Sequence, residues 1–162
     1  MTAEPDHAGV IAPPPVIAVA ALVLGLALDW LFPIPSLRSV LSLPARLGLG
    51  GVAAMAGIAL AMRAEASFRR IGTHALPWKP ALQLATAGIY AHTRNPMYLG
   101  LGLLVLGLGV ALGSSGTLLM LVPGALVLHY GVVLREERYL DRKFGAGYRS
   151  FKAHVPRYGW RW

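Results

Sequence analysis

The chain has 162 residues, 56% of them hydrophobic and only 14% charged, whereas an ordinary soluble domain carries about 25% charged residues. That balance excludes a disordered chain, and the absence of cysteine excludes a disulfide framework, thiol nucleophiles and thiolate metal sites. The 15 Lys and Arg against 7 Asp and Glu give a net charge of +8, which has to be crowded into the few segments that are not apolar.

In chain order, the first apolar run covers about 16–33. It is led in by Pro13-Pro14-Pro15 and stopped by Pro33 and Pro35, and it carries one charge, Asp29. Glu4, Asp6 and His7 precede it where a cleaved signal peptide would need basic residues, so it reads as a membrane helix. The second run, about 46–63, is rich in Gly and Ala and bracketed by Arg46 and Arg63. Between Arg94 and Arg135, 40 consecutive positions hold no Asp, Glu, Lys or Arg, long enough for two crossings. Gly113-Ser114-Ser115-Gly116 divides that stretch into spans of about 97–113 and 117–134, a tight antiparallel hairpin whose second helix Pro123 is expected to kink. Pairs of small residues four apart, Ala53 with Gly57 and Gly109 with Gly113, suit close helix packing. The expected fold is all-α: a single membrane domain over 1–162, with about four transmembrane helices and a helical C-terminal tail.

Four crossings put the N-terminus, the segment 64–96 and the tail 135–162 on one side. Of the 15 basic residues, 13 fall there (counting Arg63 at the edge of the middle segment), and only Arg38 and Arg46 fall opposite. The positive-inside rule makes the first side cytosolic. Any chemistry belongs to those two segments, and the hairpin brings the entry of the third helix beside the exit of the fourth. Arg94 and Glu136 should therefore be close in space.

In Arg94-Asn95-Pro96, Pro96 presets a first helical turn and Asn95 can cap it, leaving backbone N–H groups and an Arg suited to an anion. Helix capping with Arg94 as an interface anchor explains the same residues. Glu136-Glu137 stands where a helix leaves the bilayer, between Arg135 and Arg138. Tyr90, Tyr98, Tyr139 and Tyr148 fit an aromatic belt as well as a site. His92 and His129 lack metal-ligand spacing, so no metal is expected. Gly100-Leu101-Gly102 lies inside an apolar helix without a preceding strand, which removes a dinucleotide loop. The basic tail can hold anionic lipid headgroups, and nucleic acid is not an expected partner.

Gly88-x-Tyr90, then Arg94-Asn95-Pro96-x-Tyr98-x-Gly100, an apolar hairpin, Glu136-Glu137-x-x-Leu140, Phe144-Gly145-x-x-Tyr148 and Val155-Pro156 follow one another in this order. This series resembles the isoprenylcysteine carboxyl methyltransferase family, as a bacterial member, within a wider group that includes the phospholipid N-methyltransferases. The resemblance covers about residues 63–158. It implies a multi-pass enzyme of the bacterial inner or plasma membrane, with both termini and the active site cytosolic. It further implies S-adenosyl-L-methionine as cofactor, held by Gln83, Leu84, Tyr90, Arg94, Asn95, Pro96, Tyr98 and Glu136, with Arg94, Glu136 and Glu137 catalytic.

The implied acceptor is a lipophilic small molecule or lipid, first a prenylcysteine-type carboxylate. The alternatives are a phospholipid or small-molecule N- or S-acceptor, or a non-catalytic lipid-binding scaffold. A carboxylate needs only orientation, whereas an amine or thiol needs a proton acceptor such as Glu136, Glu137 or His92. Asn95 stands where many members have His, and Val132 where the eukaryotic enzymes place an Arg thought to orient the substrate carboxylate.

Overall fold

The structure is a computed structural model that describes residues 6–32, 34–73 and 78–159. Pro33, expected to stop the first span, and Trp160-Arg161-Trp162 of the expected tail lie outside the described residues. Among the described residues there is helix and no strand: α1 (Pro14–Leu31), α2 (Leu43–Arg70), α3 (Pro96–Leu112), α4 (Ser115–Leu128), α5 (Leu134–Phe144) and α6 (Ala146–His154). Short 3-10 turns fall at Leu37–Ser39 and Gly88–Ala91, and a π-helical turn, His129–Val133, joins α4 to α5.

The starts follow from proline. Pro14, Pro44 and Pro96 sit at first-turn positions of α1, α2 and α3, where a missing N–H costs nothing. α3 ends at Gly113, whose φ of +70° favours glycine. The Ser114 side chain then accepts from Thr117 N at 2.9 Å to start α4, so the hairpin turn is tighter than the four residues expected. Three helices are long and apolar enough to cross a membrane, Pro14–Leu31, Leu43–Arg70 and Ser115–Phe144, while Pro96–Leu112 is apolar but shorter at 17 residues.

The second span runs well past its expected limits of 46–63: α2 has 28 residues and carries Arg63, Arg69 and Arg70 on continuous helix. At about 1.5 Å per residue that is longer than the hydrocarbon of a bilayer, so one end protrudes. Pro123 lies inside α4, and the π-helical turn follows it.

The helices pair as α2 with α3 and α1 with α4; the hairpin helices α3 and α4 touch each other less. Glycine sets both pairings. A methyl on Gly57 would sit 2.5 Å from the Gly100 carbonyl oxygen, and one on Gly50 would sit 2.5 Å from that of Gly107. These backbones meet in van der Waals contact, which only residues without Cβ permit. Gly25 of α1 and Gly116 at the start of α4 meet in the same way. Of the expected small-residue pairs, Gly57 does lie in the α2–α3 contact. Gly109 packs instead on Thr117 across the hairpin turn, and Gly113 is the turn itself.

Candidate active site

The two basic segments outside the apolar helices fold over one end of them. The 3-10 turn at Gly88–Ala91 follows a positive φ at Gly88 (+63°) and delivers Tyr90 inward, edge-on to Phe68 of α2 at 5.1 Å between ring centroids. α3 then begins with Arg94 and Asn95 just before it and Tyr98 on its first turn. α5 brings Glu136 and Glu137, and its charged sequence stands outside the apolar length of α4. After Gly145 (φ +53°) the chain turns back as α6 and carries Tyr148, then Pro156 and Arg157, onto the same place.

Two contacts tie the expected site together. The Tyr98 hydroxyl donates to Glu136 Oε1 at 2.6 Å, and Arg94 Nη1 donates to Glu137 Oε1 at 2.8 Å. Arg94 is thus close to the Glu136-Glu137 pair, as the hairpin requires, but its salt-bridge partner is the second glutamate. Arg157 completes the group with a two-pronged bond to Glu137, Nε to Oε1 at 2.8 Å and Nη2 to Oε2 at 2.7 Å. Two guanidinium groups share one carboxylate, so this triad keeps one net positive charge. Arg94 and Glu137 are well shielded, with side-chain exposures of 10% and 13%, while Arg157 keeps 34%.

These side chains line a cleft. Gln83, Leu84, Tyr90, Arg94, Asn95, Tyr98, Glu136 and Glu137 all contribute to it; Pro96 is buried behind it as the first residue of α3. The Asn95 side chain does not cap α3. Its Nδ2 instead donates to the Arg157 carbonyl at 3.1 Å, beside Thr93 Oγ1 on the same oxygen at 3.3 Å. The helix needs no such cap because Pro96 already lacks one of the unpaired N–H groups. His92 is not part of the cleft lining. Val132 is fully buried and is not part of the cleft lining.

Tyr139 and Tyr148, which fitted a belt as well as a site, line the cleft, and so does Phe68, which sequence reasoning did not assign; Arg157, also unassigned, joins the site through its bonds to Glu137. The Val155-Pro156 motif was the available signal for Arg157, because the Pro156 carbonyl accepts from Arg94 N at 3.0 Å.

Burial drives the electrostatics. The protein around Glu136 withdraws it from water and pushes its carboxyl up to about 7; the Tyr98 hydroxyl opposes this and the Glu137 charge adds to it. Burial, aided by the Glu136 charge, also holds the Tyr90 hydroxyl well above its ordinary range. The Tyr148 hydroxyl is pushed up to about 12, by burial first and then by Glu137, with Arg94 opposing. Arg94 Nε is buried and has no hydrogen-bond partner, an unmet donor that an anionic ligand group in the cleft would satisfy.

A second hollow, of about 550 Å³, opens between α1, α3 and α4. Its walls are almost wholly aliphatic, among them Ile17, Ala21, Leu103 and Leu106, and its polar groups are Tyr98, His129 and Tyr158. Tyr98 lines both hollows.

A helical membrane protein with an acid-and-tyrosine cleft at the end of its helices, beside a lipid-like groove, is the class of molecule that this geometry defines. The model of the family described as phospholipid methyltransferase matches residues 45–147, and the chain belongs to that family. It is a membrane methyltransferase, from a family that typically uses S-adenosylmethionine. The chain is also 40% identical over 62 residues to a protein of Haemophilus influenzae described only as uncharacterized, a stretch that is 38% of this chain and 98% of that one. No solved structure matches the chain.

Proposed function

We propose that this protein transfers a methyl group from S-adenosyl-L-methionine to the polar end of a membrane lipid, at the rim where the cleft and the groove meet. The observation that carries this reading is Tyr98, a wall of both hollows, hydrogen-bonded at 2.6 Å to the one site carboxylate without a cationic partner in the cleft network, Glu136.

The residues of the cleft fit the cofactor. Arg94, with its unmet Nε donor and the residual positive charge of its triad, suits the amino-acid carboxylate. Glu136 suits the ribose diol or a cationic group, and the rings of Tyr90, Tyr98 and Phe68 favour a sulfonium nearby. Gln83 and Leu84 border the same space, Asn95 fixes the wall through Arg157, and Pro96 sets the direction of α3. When bound, the cofactor supplies an electrophilic methyl group. The protein aligns the two partners and excludes water, which is the larger part of catalysis for a direct displacement.

Two observations favour an amine-bearing phospholipid over a prenylcysteine-type carboxylate as acceptor. The groove has no Lys or Arg among its described lining residues, so a carboxylate headgroup there would lack a cationic partner. The matched family is that of phospholipid methyltransferases. Anionic lipid bound by the basic tail is an added partner rather than the reacting one.

The membrane setting belongs to the same proposal. In this reading α3 joins the three longer helices as a fourth crossing, since its 17 residues span about 25 Å, and the charge asymmetry supports a cytosolic cleft and cytosolic termini. The test is incubation of the purified protein with labelled S-adenosyl-L-methionine and total membrane lipid. Label in an amine phospholipid is the expected result; label confined to a carboxyl ester would replace the acceptor, and no label would remove the activity.

A further inference from the structure

The C-terminal segment is fastened with unusual care. The Pro156 carbonyl accepts from Arg94 N, the Arg157 carbonyl accepts from Thr93 and Asn95, and the Arg157 guanidinium grips Glu137. These ties lie on the cleft side. Their effect falls on the next residue, Tyr158, whose hydroxyl reaches His129 Nδ1 at 2.6 Å, with the two rings 5.6 Å apart. His129 opens the π-helical turn between α4 and α5 and also stacks edge-on with Tyr130 at 4.8 Å. A π-helical turn inserted in an apolar helix is a frequent mark of function.

Both groups line the polar end of the groove. α1 contributes no titratable side chain there and α3 contributes Tyr98, so Tyr98, His129 and Tyr158 are the titratable set among the described lining residues. The charges that act on Tyr158 are Arg157, Glu137 and Arg94.

We infer that Tyr158 and His129 form a proton relay that deprotonates the ammonium headgroup of the acceptor, which gives the tail a catalytic task separate from holding the cofactor. This rests on the methyl-transfer reading above. With Nδ1 unprotonated, the Tyr158 hydroxyl donates to it. The phenol oxygen then takes a proton from the headgroup as its own proton passes to the imidazole. One N–H and one O–H bond break while one O–H and one N–H form, leaving a neutral amine and an imidazolium. The amine nitrogen, its lone pair now free, bonds to the methyl carbon as the carbon–sulfur bond breaks with its electrons kept on sulfur. His129 later returns its proton to water at the rim. An ammonium has no lone pair to act as nucleophile, and with no carboxylate among the groove's described lining residues, and Tyr98 donating its proton to Glu136, the His129–Tyr158 pair supplies the base on the groove side.

The full chain in detergent, with phosphatidylethanolamine and dodecylamine as acceptors, tests the relay. Tyr158→Phe and His129→Gln should each lower kcat about 100-fold near pH 7, the lower range for general-base catalysis. Cofactor affinity should stay unchanged by calorimetry, and the deficit should shrink as pH approaches the amine's own pKa of about 10. A merely structural role would not give that recovery. Independently of turnover, dodecylamine binding without cofactor should move the ¹⁵N resonance of His129 towards imidazolium, and Tyr158→Phe should abolish the movement. Wild-type rates in both variants, a pH-independent deficit, an unmoved resonance, or no transfer to either amine would overturn the relay. Loss of cofactor binding by the parent chain would instead overturn the methyl-transfer reading beneath it.

Discussion

The cleft and the groove share the ring of Tyr98, yet they are built by opposite means. Around the cleft, paired charges from three distant stretches of chain, Arg94, Glu137 and Arg157, fix the walls. Around the groove, small and aliphatic side chains leave space that nothing polar fills. A site for a charged, water-soluble molecule is thus specified by electrostatics, whereas a site for a lipid chain is specified by what has been left out. A methyl transfer between the two phases needs both, and needs them to meet at one residue.

That contrast predicts how each side breaks. The largest effect should come from Glu137→Ala, which strands Arg94 and Arg157 without their shared carboxylate. The expected loss is about 3 kcal/mol of stability, at the lower end for a buried pair because Arg157 keeps some exposure; thermal unfolding in detergent measures it, and a loss below about 0.5 kcal/mol would mean the triad is ornamental.

Next, Gly57→Val drives a side chain into the Gly100 carbonyl at the α2–α3 contact. It should cost about 2 kcal/mol by overpacking, read by the same melt, and should loosen both hollows together.

Gly102→Phe is the selective probe. Gly102 lines the groove with open space around it, so a ring there should raise KM for the lipid about tenfold, or ~1.4 kcal/mol. Cofactor affinity, measured by calorimetry, should not move; equal effects on both ligands would mean the two hollows are not separate.

The smallest effect is the pH dependence of cofactor affinity. Glu136 titrates at about 7, so its acceptor oxygens are anionic above that value and neutral below it. Affinity should strengthen several-fold as pH rises through about 7 and then level off, and Glu136→Gln should flatten the curve.

Much of this was written in the sequence because membrane residence makes hydrophobicity a strong signal. The 40 uncharged positions after Arg94 leave room for two apolar helices, and a turn as short as Gly113-Ser114 brings their ends together. The meeting of Arg94 and Tyr98 with Glu136-Glu137 follows from that alone. The end of α2 was not legible, because helix can continue into water once charged residues begin and Arg63 reads equally as a boundary or as a surface residue.

Arg157 and Tyr158 were missed because their place depends on a reversal at Gly145 and on carbonyl contacts far along the chain, neither of which has a spacing. Asn95 looked like a cap because its position before Pro96 is that of a cap; its Nδ2 donates to the Arg157 carbonyl, and its side chain makes no capping bond to the helix. The π-helical turn, which begins at His129 on the groove and ends three residues before Glu136 on the cleft, has no signature in composition at all.

The most direct test of the central claim is calorimetric titration of S-adenosyl-L-methionine into the detergent-solubilised protein, alongside Arg94→Ala and Glu136→Ala. Saturable binding by the parent chain, weakened at least tenfold in each variant, is the predicted result. No binding by the parent, or equal binding by all three, would contradict a cofactor site in the cleft.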